Sequence, residues 1–229
     1  MPFFPHLAIF DLDGTLIDYE HDFLYTEVLR VIRTFGLNHI TEETLAFHHH
    51  RDDMFGCIES ADLRSAIEAA FVNQFREEVK PAARLLPGAL ETLDYLATRN
   101  VSLAIATARA QLPESIREDL QHTGLLKRID CIASRSCRTM TWRDKSQQIR
   151  TACQHAAVPP DQSFMVGDNP SDSVSARAAG IGGIIAVRSG YVIDELLLQP
   201  DPHHLLDSVR DIPDILRVHE SLIHRATHT

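Results

Sequence analysis

The chain has 229 residues, of which 44% are hydrophobic and 24% are charged, a balance typical of globular proteins that excludes a disordered or fibrous chain. Its 32 acidic and 22 basic residues give a formal net charge of -10, which disfavours nucleic acid as a partner. The same charge favours a small charged substrate bound together with a metal ion. The length of the chain suits one domain with a large insertion or two small domains.

The sequence gives no sign of a membrane-bound or secreted protein. No stretch approaches the roughly 20 apolar residues of a membrane span, and the first ten residues, MPFFPHLAIF, include no basic leader. The four cysteines form no CxxC pair and are predicted to be free thiols: Cys57, Cys131, Cys137 and Cys153. We therefore expect a cytoplasmic protein with no membrane partner.

Five short apolar runs are typical of strands buried on both faces of a parallel sheet. They are residues 7–10, 102–107, 131–134, 164–167 and 183–187. Amphipathic stretches at residues 89–98, 113–121 and 145–156 predict helices between the later strands. This alternation of strands and helices predicts an α/β protein with a doubly wound, Rossmann-like parallel sheet.

The first two predicted strands are separated by about ninety residues, far more than one crossover helix requires. Helical periodicity over residues 22–35 and 61–79 predicts that the intervening segment is helical. We therefore predict a helical cap of residues 17–84 inserted into a core of residues 1–16 and 85–229. The return connection at residues 80–88, KPAARLLPG, carries two prolines and a glycine and suits a linker.

The first predicted strand ends on two carboxylates, Asp11 and Asp13, in the stretch LAIFDLDGTLID. Its Asp-Gly pair is also a signal for a tight β-hairpin turn. The later strands favour a shared site instead. Thr107 ends the second apolar run, Asp168 and Asp172 follow the fourth, and Lys145 begins the helical stretch before the fourth. Ligands bind at the carboxyl ends of the strands in such sheets, so we expect these side chains to converge there.

Converging carboxylates require cations, since two of them about 4 Å apart repel each other by about 4 kcal/mol at an effective dielectric constant of about 20. Mg²⁺ prefers oxygen ligands and is usually completed by a substrate phosphate. Lys145 adds a further positive charge, and the metal ion and the lysine together would offset a phosphate dianion. The predicted partners are therefore Mg²⁺ and a small phosphorylated metabolite.

The chain resembles the haloacid dehalogenase superfamily in four ordered motifs: DLDGTL at residues 11–16, Thr107, Lys145, and Gly167-Asp168 with Asp172. Within that superfamily it is similar to the phosphoglycolate-phosphatase-like branch, in which a helical cap follows the first motif. The resemblance implies a Mg²⁺-dependent phosphatase that hydrolyses a small organic phosphomonoester through an aspartyl-phosphate intermediate.

The resemblance also implies roles for the four aspartates. Asp11 would be the nucleophile, and Asp13 would protonate the leaving group and then activate water. The Asp11 and Asp168 carboxylates and the Asp13 backbone carbonyl would hold Mg²⁺. Asp172 would support this metal site and orient Lys145.

The second motif would bind the phosphoryl group. The resemblance implies that Thr107 and the backbone N–H of Ala108 hold phosphoryl oxygens beside Lys145. Most family members have Asn where this chain has Ala108, so one polar contact near the leaving group is lost. Arg109 could replace that contact as a substrate-binding residue, or it could be a surface arginine at a helix start.

Two other functions stay open at this point. A dehalogenase is disfavoured because halide departure needs no proton and Asp13 is present, but a sugar phosphomutase would keep every core motif. Phe23 stands where that branch has histidine, with His21 two positions away. The other open function is a non-catalytic regulatory module on the same fold.

Consecutive histidines at residues 48–50 would point in different directions on a helix, which favours a cap surface or pocket rim over a second metal site.

Overall fold

The computed structural model describes residues 4–19, 21–74, 81–109, 113–134 and 144–226. Its strands are β1 (Leu7–Phe10), β2 (Ile17–Asp18), β3 (Arg84–Leu85), β4 (Ser102–Ala106), β5 (Cys131–Ala133), β6 (Ser163–Gly167), β7 (Gly183–Val187) and β8 (His204–Leu206). Six of them form one parallel sheet in the order β5-β4-β1-β6-β7-β8. The predicted doubly wound parallel sheet is confirmed.

Helices cover both faces of this sheet. They are α4 (Ala89–Ala97), α5 (Pro113–His122), α6 (Ser146–Ala156), α7 (Pro170–Ala179), α8 (Asp194–Leu198) and α9 (Ile212–Ala226). Successive residues of β1 point to opposite faces: Ala8 and Phe10 pack in a cluster with residues of α4, α5 and α9. Leu7 and Ile9 pack in a second cluster with residues of α6 and α7. Burial on both faces explains why this strand is continuously apolar.

The register of β1 determines where the polar residues of the sheet edge lie. Phe10, the last residue of β1, is level with Ile105 of β4 on one side and Val166 of β6 on the other. The three strands therefore end together. The residues that follow them, including Asp11 and Thr107, emerge side by side at one edge of the sheet.

Three further helices lie between β2 and β3: α1 (His21–Thr34), α2 (Glu42–His49) and α3 (Ala61–Gln74). They enclose a hydrophobic cluster of their own, which includes Val28, Leu45 and Ile67. At the base of this insertion β2 and β3 pair antiparallel, with Ile17 opposite Leu85. The chain therefore leaves and re-enters the core through one short ladder.

Several elements differ from the sequence-based predictions. Residues 203 and 204 suggest a surface turn, but His204 begins β8, which pairs parallel with β7 at the sheet edge. A strand of three residues next to prolines is too short for a recognisable apolar pattern. Helix α2 was also not predicted, and of the helix predicted over residues 61–79 the part beyond Gln74 lies outside the described residues. Both neighbours of β1 are parallel, so the Asp-Gly pair does not form a hairpin there.

The cysteines and the helix lengths bear on the expectations drawn from composition. Cys57, Cys131 and Cys153 are free thiols, as predicted, and Cys137 lies outside the described residues. No helix in the described part of the chain has the length and apolar character needed to cross a bilayer.

The aromatic contact between β1 and β6 gives a test of the core. Phe10 and Phe164 are fully buried and meet edge to face, with ring centroids 6.2 Å apart. We expect Phe164→Ala to lower the free energy of unfolding by about 3–5 kcal/mol, because it removes a large buried ring and leaves a cavity. Urea denaturation measures this loss. Val174→Ala, at a site 57% exposed, is the control and should change stability by less than about 0.5 kcal/mol; equal effects would contradict the packing described here.

Candidate active site

An acidic cluster lies at the carboxyl edge of the sheet. Asp11 follows β1, Asp168 follows β6, and Asp172 lies in the first turn of α7. One carboxylate oxygen from each lies within 4.8 Å of the others, and all three residues are buried. The Asp11 backbone N–H donates to the Val166 carbonyl oxygen at 2.8 Å, which fixes the first carboxylate against β6. The structure thus brings together the three acidic side chains that the strand ends predict.

The electrostatics of this cluster fit a cation. Burial raises the pKa of Asp11 from 3.8 to about 7, against the opposing effect of Lys145 and with a further contribution from Asp172. Burial also raises the pKa of Asp168 well above its usual value, and the Asp11 charge adds to this. Three buried carboxylates beside one ammonium leave excess negative charge in a region of low dielectric. Hard carboxylate oxygens are the ligands that Mg²⁺ or a similar ion prefers.

Lys145 bridges two of the carboxylates. Its Nζ lies 2.7 Å from Asp11 Oδ1 and 2.6 Å from Asp172 Oδ1. Burial acts to lower the pKa of this lysine, but the adjacent carboxylates of Asp11 and Asp172 overcome that effect and raise it. Its backbone N–H donates to Ser175 Oγ at 2.9 Å, which holds the start of α6 against α7. Lys145 is therefore a fixed positive charge in the site.

Asp172 connects the lysine to a helix end. Its Oδ2 accepts from the Asn169 backbone N–H at 3.1 Å, and Asn169 Oδ1 accepts from the Ser171 backbone N–H at 2.9 Å. These reciprocal bonds form a capping box at the start of α7. One oxygen of Asp172 is thus used by its own helix and the other by Lys145, which fixes the direction of both side chains.

The Asp168 carboxylate is enclosed by backbone. Thr15 Oγ1 donates to Asp168 Oδ1 at 2.8 Å. A Cβ atom added at Gly14 or at Gly190 would overlap the other oxygen, Oδ2. Gly14 also has a φ of 77°, in the left-handed region that favours glycine. Both positions therefore require the absence of a side chain for this carboxylate to be held where it is.

The segment after β4 carries the predicted phosphate-binding residues. Thr107 is buried, its backbone N–H donates to the Ala133 carbonyl oxygen, and its Oγ1 accepts from the Arg109 backbone N–H at 3.1 Å. Ala108 is half-buried between them. The Arg109 side chain is only 8% exposed, so its interpretation as a surface arginine is wrong.

Sequence reasoning missed the partners of this arginine. Arg109 binds both oxygens of the Asp13 carboxylate, with Nε 2.5 Å from Oδ2, and its Nη1 lies 2.6 Å from Asp119 Oδ2 on α5. Tyr19 donates its hydroxyl to the same Asp119 oxygen at 2.5 Å. We call Asp13, Tyr19, Arg109 and Asp119 the Arg109 cluster. The sequence does indicate that Asp119 is buried. It is three residues after Ile116 and next to Leu120, and this helical spacing places it toward the buried side of α5.

The histidines of residues 48–50 contact different partners, as consecutive residues at a helix end should. The His49 ring stacks on Tyr191 with centroids 4.8 Å apart, and its Nδ1 lies 3.1 Å from the Tyr25 hydroxyl. His50 Nδ1 lies 2.5 Å from the Tyr191 carbonyl oxygen, whereas His48 packs its ring against Phe47. Within the described residues the metal-binding geometry occurs at the aspartates, and this histidine run does not share it.

The inserted helices contact the core beside the acidic cluster. In addition to the histidine contacts, Asn169 Nδ2 donates to Asp52 Oδ1 at 2.9 Å, and the Ile193 N–H donates to the His50 carbonyl oxygen at 3.1 Å. Asn169 directly follows Asp168, and Gly190, three residues before Ile193, lies against the Asp168 carboxylate. The insertion therefore reaches the rim of the site.

A parallel α/β sheet with buried carboxylates and a lysine at its carboxyl edge defines a class of proteins built to hold a cation and an anionic group together. The chain belongs to the haloacid dehalogenase-like hydrolase family, whose model matches residues 8–186. The resemblance identified from the four motifs is confirmed at this level.

Individual relatives agree with this assignment. The chain is 29% identical over 211 residues to a phosphoglycolate phosphatase of Agrobacterium fabrum, covering 85% of this chain and 86% of the relative. It is 26% identical over 209 residues to the pyrophosphatase PpaX of Oceanobacillus iheyensis, covering 91% and 95%. The crystal structure of a predicted phosphatase from Clostridium acetobutylicum has the same fold, with a TM-score of 0.74 over 94% of this chain and 100% of that chain at 18% identity.

The partly buried His49 gives a pH prediction. Burial, together with the neighbouring His50, lowers the pKa of His49 from 6.5 to about 4. Between these values the unfolded chain binds one more proton than the folded protein, so stability falls as the pH falls through this range. We expect His49→Gln to reduce the loss of unfolding free energy between about pH 7 and pH 4 by about 1–3 kcal/mol, measured by urea denaturation at each pH.

His155→Gln is the matched control, because His155 is exposed on α6. This variant should keep the pH dependence of the wild type. If His49→Gln also kept it, the lowered pKa of His49 would be contradicted.

Proposed function

We propose that the chain is a Mg²⁺-dependent phosphatase that hydrolyses a small organic phosphomonoester through an aspartyl-phosphate on Asp11. The observation that carries this proposal is the Asp11 carboxylate at the end of β1, 2.7 Å from Lys145 and within 4.8 Å of two other carboxylates. The names of the relatives, phosphoglycolate phosphatase and pyrophosphatase, support phosphate-ester or anhydride hydrolysis and differ in substrate. Free thiols and the acidic net charge suit a cytoplasmic enzyme with a small-molecule substrate.

The nucleophile would be oriented by its lysine. The ammonium of Lys145 holds one oxygen of Asp11 and lowers the repulsion that a phosphate dianion meets on approaching a carboxylate. Thr107 and the N–H of Ala108 follow β4, whose end lies beside the end of β1. In this proposal they bind the phosphoryl oxygens that Lys145 does not reach.

Mg²⁺ would be held by the carboxylates of Asp11 and Asp168 and by the backbone carbonyl of Asp13, with Asp172 behind them. The donor set fits such an ion because its carboxylates are buried, close together and short of positive charge. When bound, the ion supplies positive charge that offsets the phosphate and the carboxylates. The protein's contribution at Asp168 is to fix its carboxylate oxygens through Thr15, Gly14 and Gly190.

Asp13 would move the protons. It lies two residues after the nucleophile, and its side chain is 42% exposed and therefore within reach of solvent. In the first step the protonated carboxyl group would donate its proton to the departing alkoxide, and in the second the resulting carboxylate would take one from the attacking water. The same carboxylate can serve both steps because the second reverses the protonation of the first.

We also propose that residues 17–84 form a cap that covers the bound substrate. The contacts of His50 and Asp52 with the rim of the site support this, as does the β2–β3 ladder at the base of the insertion. A cap over the site would exclude bulk water while the phosphoryl group is transferred.

We expect Asp11→Asn to abolish phosphate release from a panel of small phosphomonoesters in the presence of Mg²⁺, with a loss of at least about 10³-fold, because the amide cannot form the phosphoenzyme. Asp161→Asn, at an exposed position in the turn before β6, is the control and should retain wild-type rates. Phosphate release by Asp11→Asn at the wild-type rate would refute the mechanism. Phosphate migration within a sugar phosphate without release would support the mutase instead.

We expect Asp168→Asn to raise the Mg²⁺ concentration needed for half-maximal activity by about tenfold or more, since it removes one charged ligand. Activity measured across a Mg²⁺ titration after treatment with a chelator gives this value. An unchanged midpoint would place the metal elsewhere, and wild-type activity that survives chelation would contradict metal dependence.

A further inference from the structure

The Arg109 cluster is a second charge network beside the acidic cluster, with Arg109 and Asp119 buried and Asp13 partly exposed. Arg109 and Asp119 have side chains that are each 8% exposed, and Arg109 binds Asp13 with two nitrogens and Asp119 with a third. The Tyr19 hydroxyl lies against both Arg109 and Asp119. The guanidinium is therefore fully used by groups of the protein itself.

The ion pairs of this network restrain the side chains that form them. Burial acts to lower the pKa of Arg109, but the Asp13 carboxylate and the other neighbours raise it, so the guanidinium stays charged. Removing one partner from a buried ion pair leaves an uncompensated charge and destabilises the protein strongly. A guanidinium is also planar, and its two-pronged contact fixes the plane of the bound carboxylate. The direction of Asp13 is thereby determined by Arg109.

The members of the cluster come from separate parts of the fold. Arg109 follows Thr107 at the end of β4, and Asp119 lies on α5. Tyr19 directly follows β2, where the chain passes from the core into the inserted helices. The position of Arg109 therefore depends on a helix of the core and on the first connection of the insertion.

We propose that Arg109 is a positioning residue that sets the direction of the Asp13 carboxylate, and that Asp119 and Tyr19 hold Arg109 in place. This inference rests on the proposed function, because it concerns the residue that would transfer protons there. It also revises the expectation that Arg109 binds substrate: its donors are directed at Asp13 and Asp119.

The dependence of kcat/KM on the leaving group of the ester distinguishes a residue that positions Asp13 from one that only stabilises the fold. An ester with an alkoxide leaving group needs a proton from Asp13 as the bond breaks, whereas a nitrophenolate departs without one. A variant in which Asp13 points elsewhere should therefore lose kcat/KM on the first ester and keep it on the second. General destabilisation of the fold would reduce both values equally.

The experiment compares 4-nitrobenzyl phosphate with 4-nitrophenyl phosphate, which are similar in shape, using the full chain with Mg²⁺. We expect Arg109→Lys, which keeps the charge and loses the two-pronged contact, to lower kcat/KM for the benzyl ester by about 10- to 100-fold and for the phenyl ester by less than about threefold. Tyr19→Phe should shift the ratio in the same direction by a smaller factor.

Arg128→Lys is the matched control, because Arg128 makes an equivalent two-pronged contact with Asp94, at 2.6 and 2.8 Å, outside the site. Its ratio should equal that of the wild type. Equal losses on both esters, or none, in Arg109→Lys would overturn the inference. If Arg109→Lys does not fold by circular dichroism, the ratio in Tyr19→Phe decides in the same way.

The wild type and Asp11→Asn distinguish failure of the proposed function from failure of the proposed role of Arg109. If the wild type hydrolyses neither ester in an Asp11-dependent manner, the proposed function fails and this inference fails with it. If Asp11-dependent hydrolysis is present and the ratio is unchanged in Arg109→Lys, or in Tyr19→Phe where Arg109→Lys does not fold, this inference alone fails.

Discussion

The burial of three carboxylates around one lysine is the constraint on which the rest of the structure depends. Asp11, Asp168 and Asp172 repel one another, and this repulsion is strong in a region with little water. Lys145 offsets only part of it. Two of the carboxylates are held by further groups: Asp172 accepts from a backbone N–H, and Asp168 accepts from a threonine hydroxyl and packs against two glycines. Such a cluster is stable only where the surrounding fold is rigid.

The sheet supplies this rigidity through its strand order. From β1 the chain builds outward to β4 and β5 on one side and then crosses to β6, β7 and β8 on the other. The change of direction at β1 leaves a crevice at its carboxyl end between neighbours whose helices lie on opposite faces. Asp11 lies there with the Thr107 segment on one side and Asp168 on the other. The long insertion after β1 begins at this same edge, so its helices reach the site without crossing the sheet.

The parts of this arrangement that could be predicted from sequence are those that depend on local pattern. Continuous apolar runs identify β1, β4, β6 and β7, because burial on both faces requires them, and the polar residue after each run is then placed by parallel topology. The contact of Asp119 with Arg109 could not be predicted, because it depends on how α5 packs against the end of β4. Tyr191 and His49 are 142 residues apart, and no periodicity in either segment encodes their stacking. The strand β8 was missed because three residues are too few to show a pattern.

Asn169 shows how the site and the insertion are joined. Its backbone N–H donates to Asp172, its Oδ1 accepts from Ser171 at the start of α7, and its Nδ2 donates to Asp52 of the insertion. An aspartate could cap the helix equally well, but it has no donor for Asp52 and would place a fourth carboxylate beside the three already buried. A serine has one polar side-chain atom in place of the two that make these contacts. The amide is thus the side chain that caps α7, binds the insertion and adds no charge, so the position of the inserted helices is coupled to the helix end that holds Asp172 and, through it, Lys145.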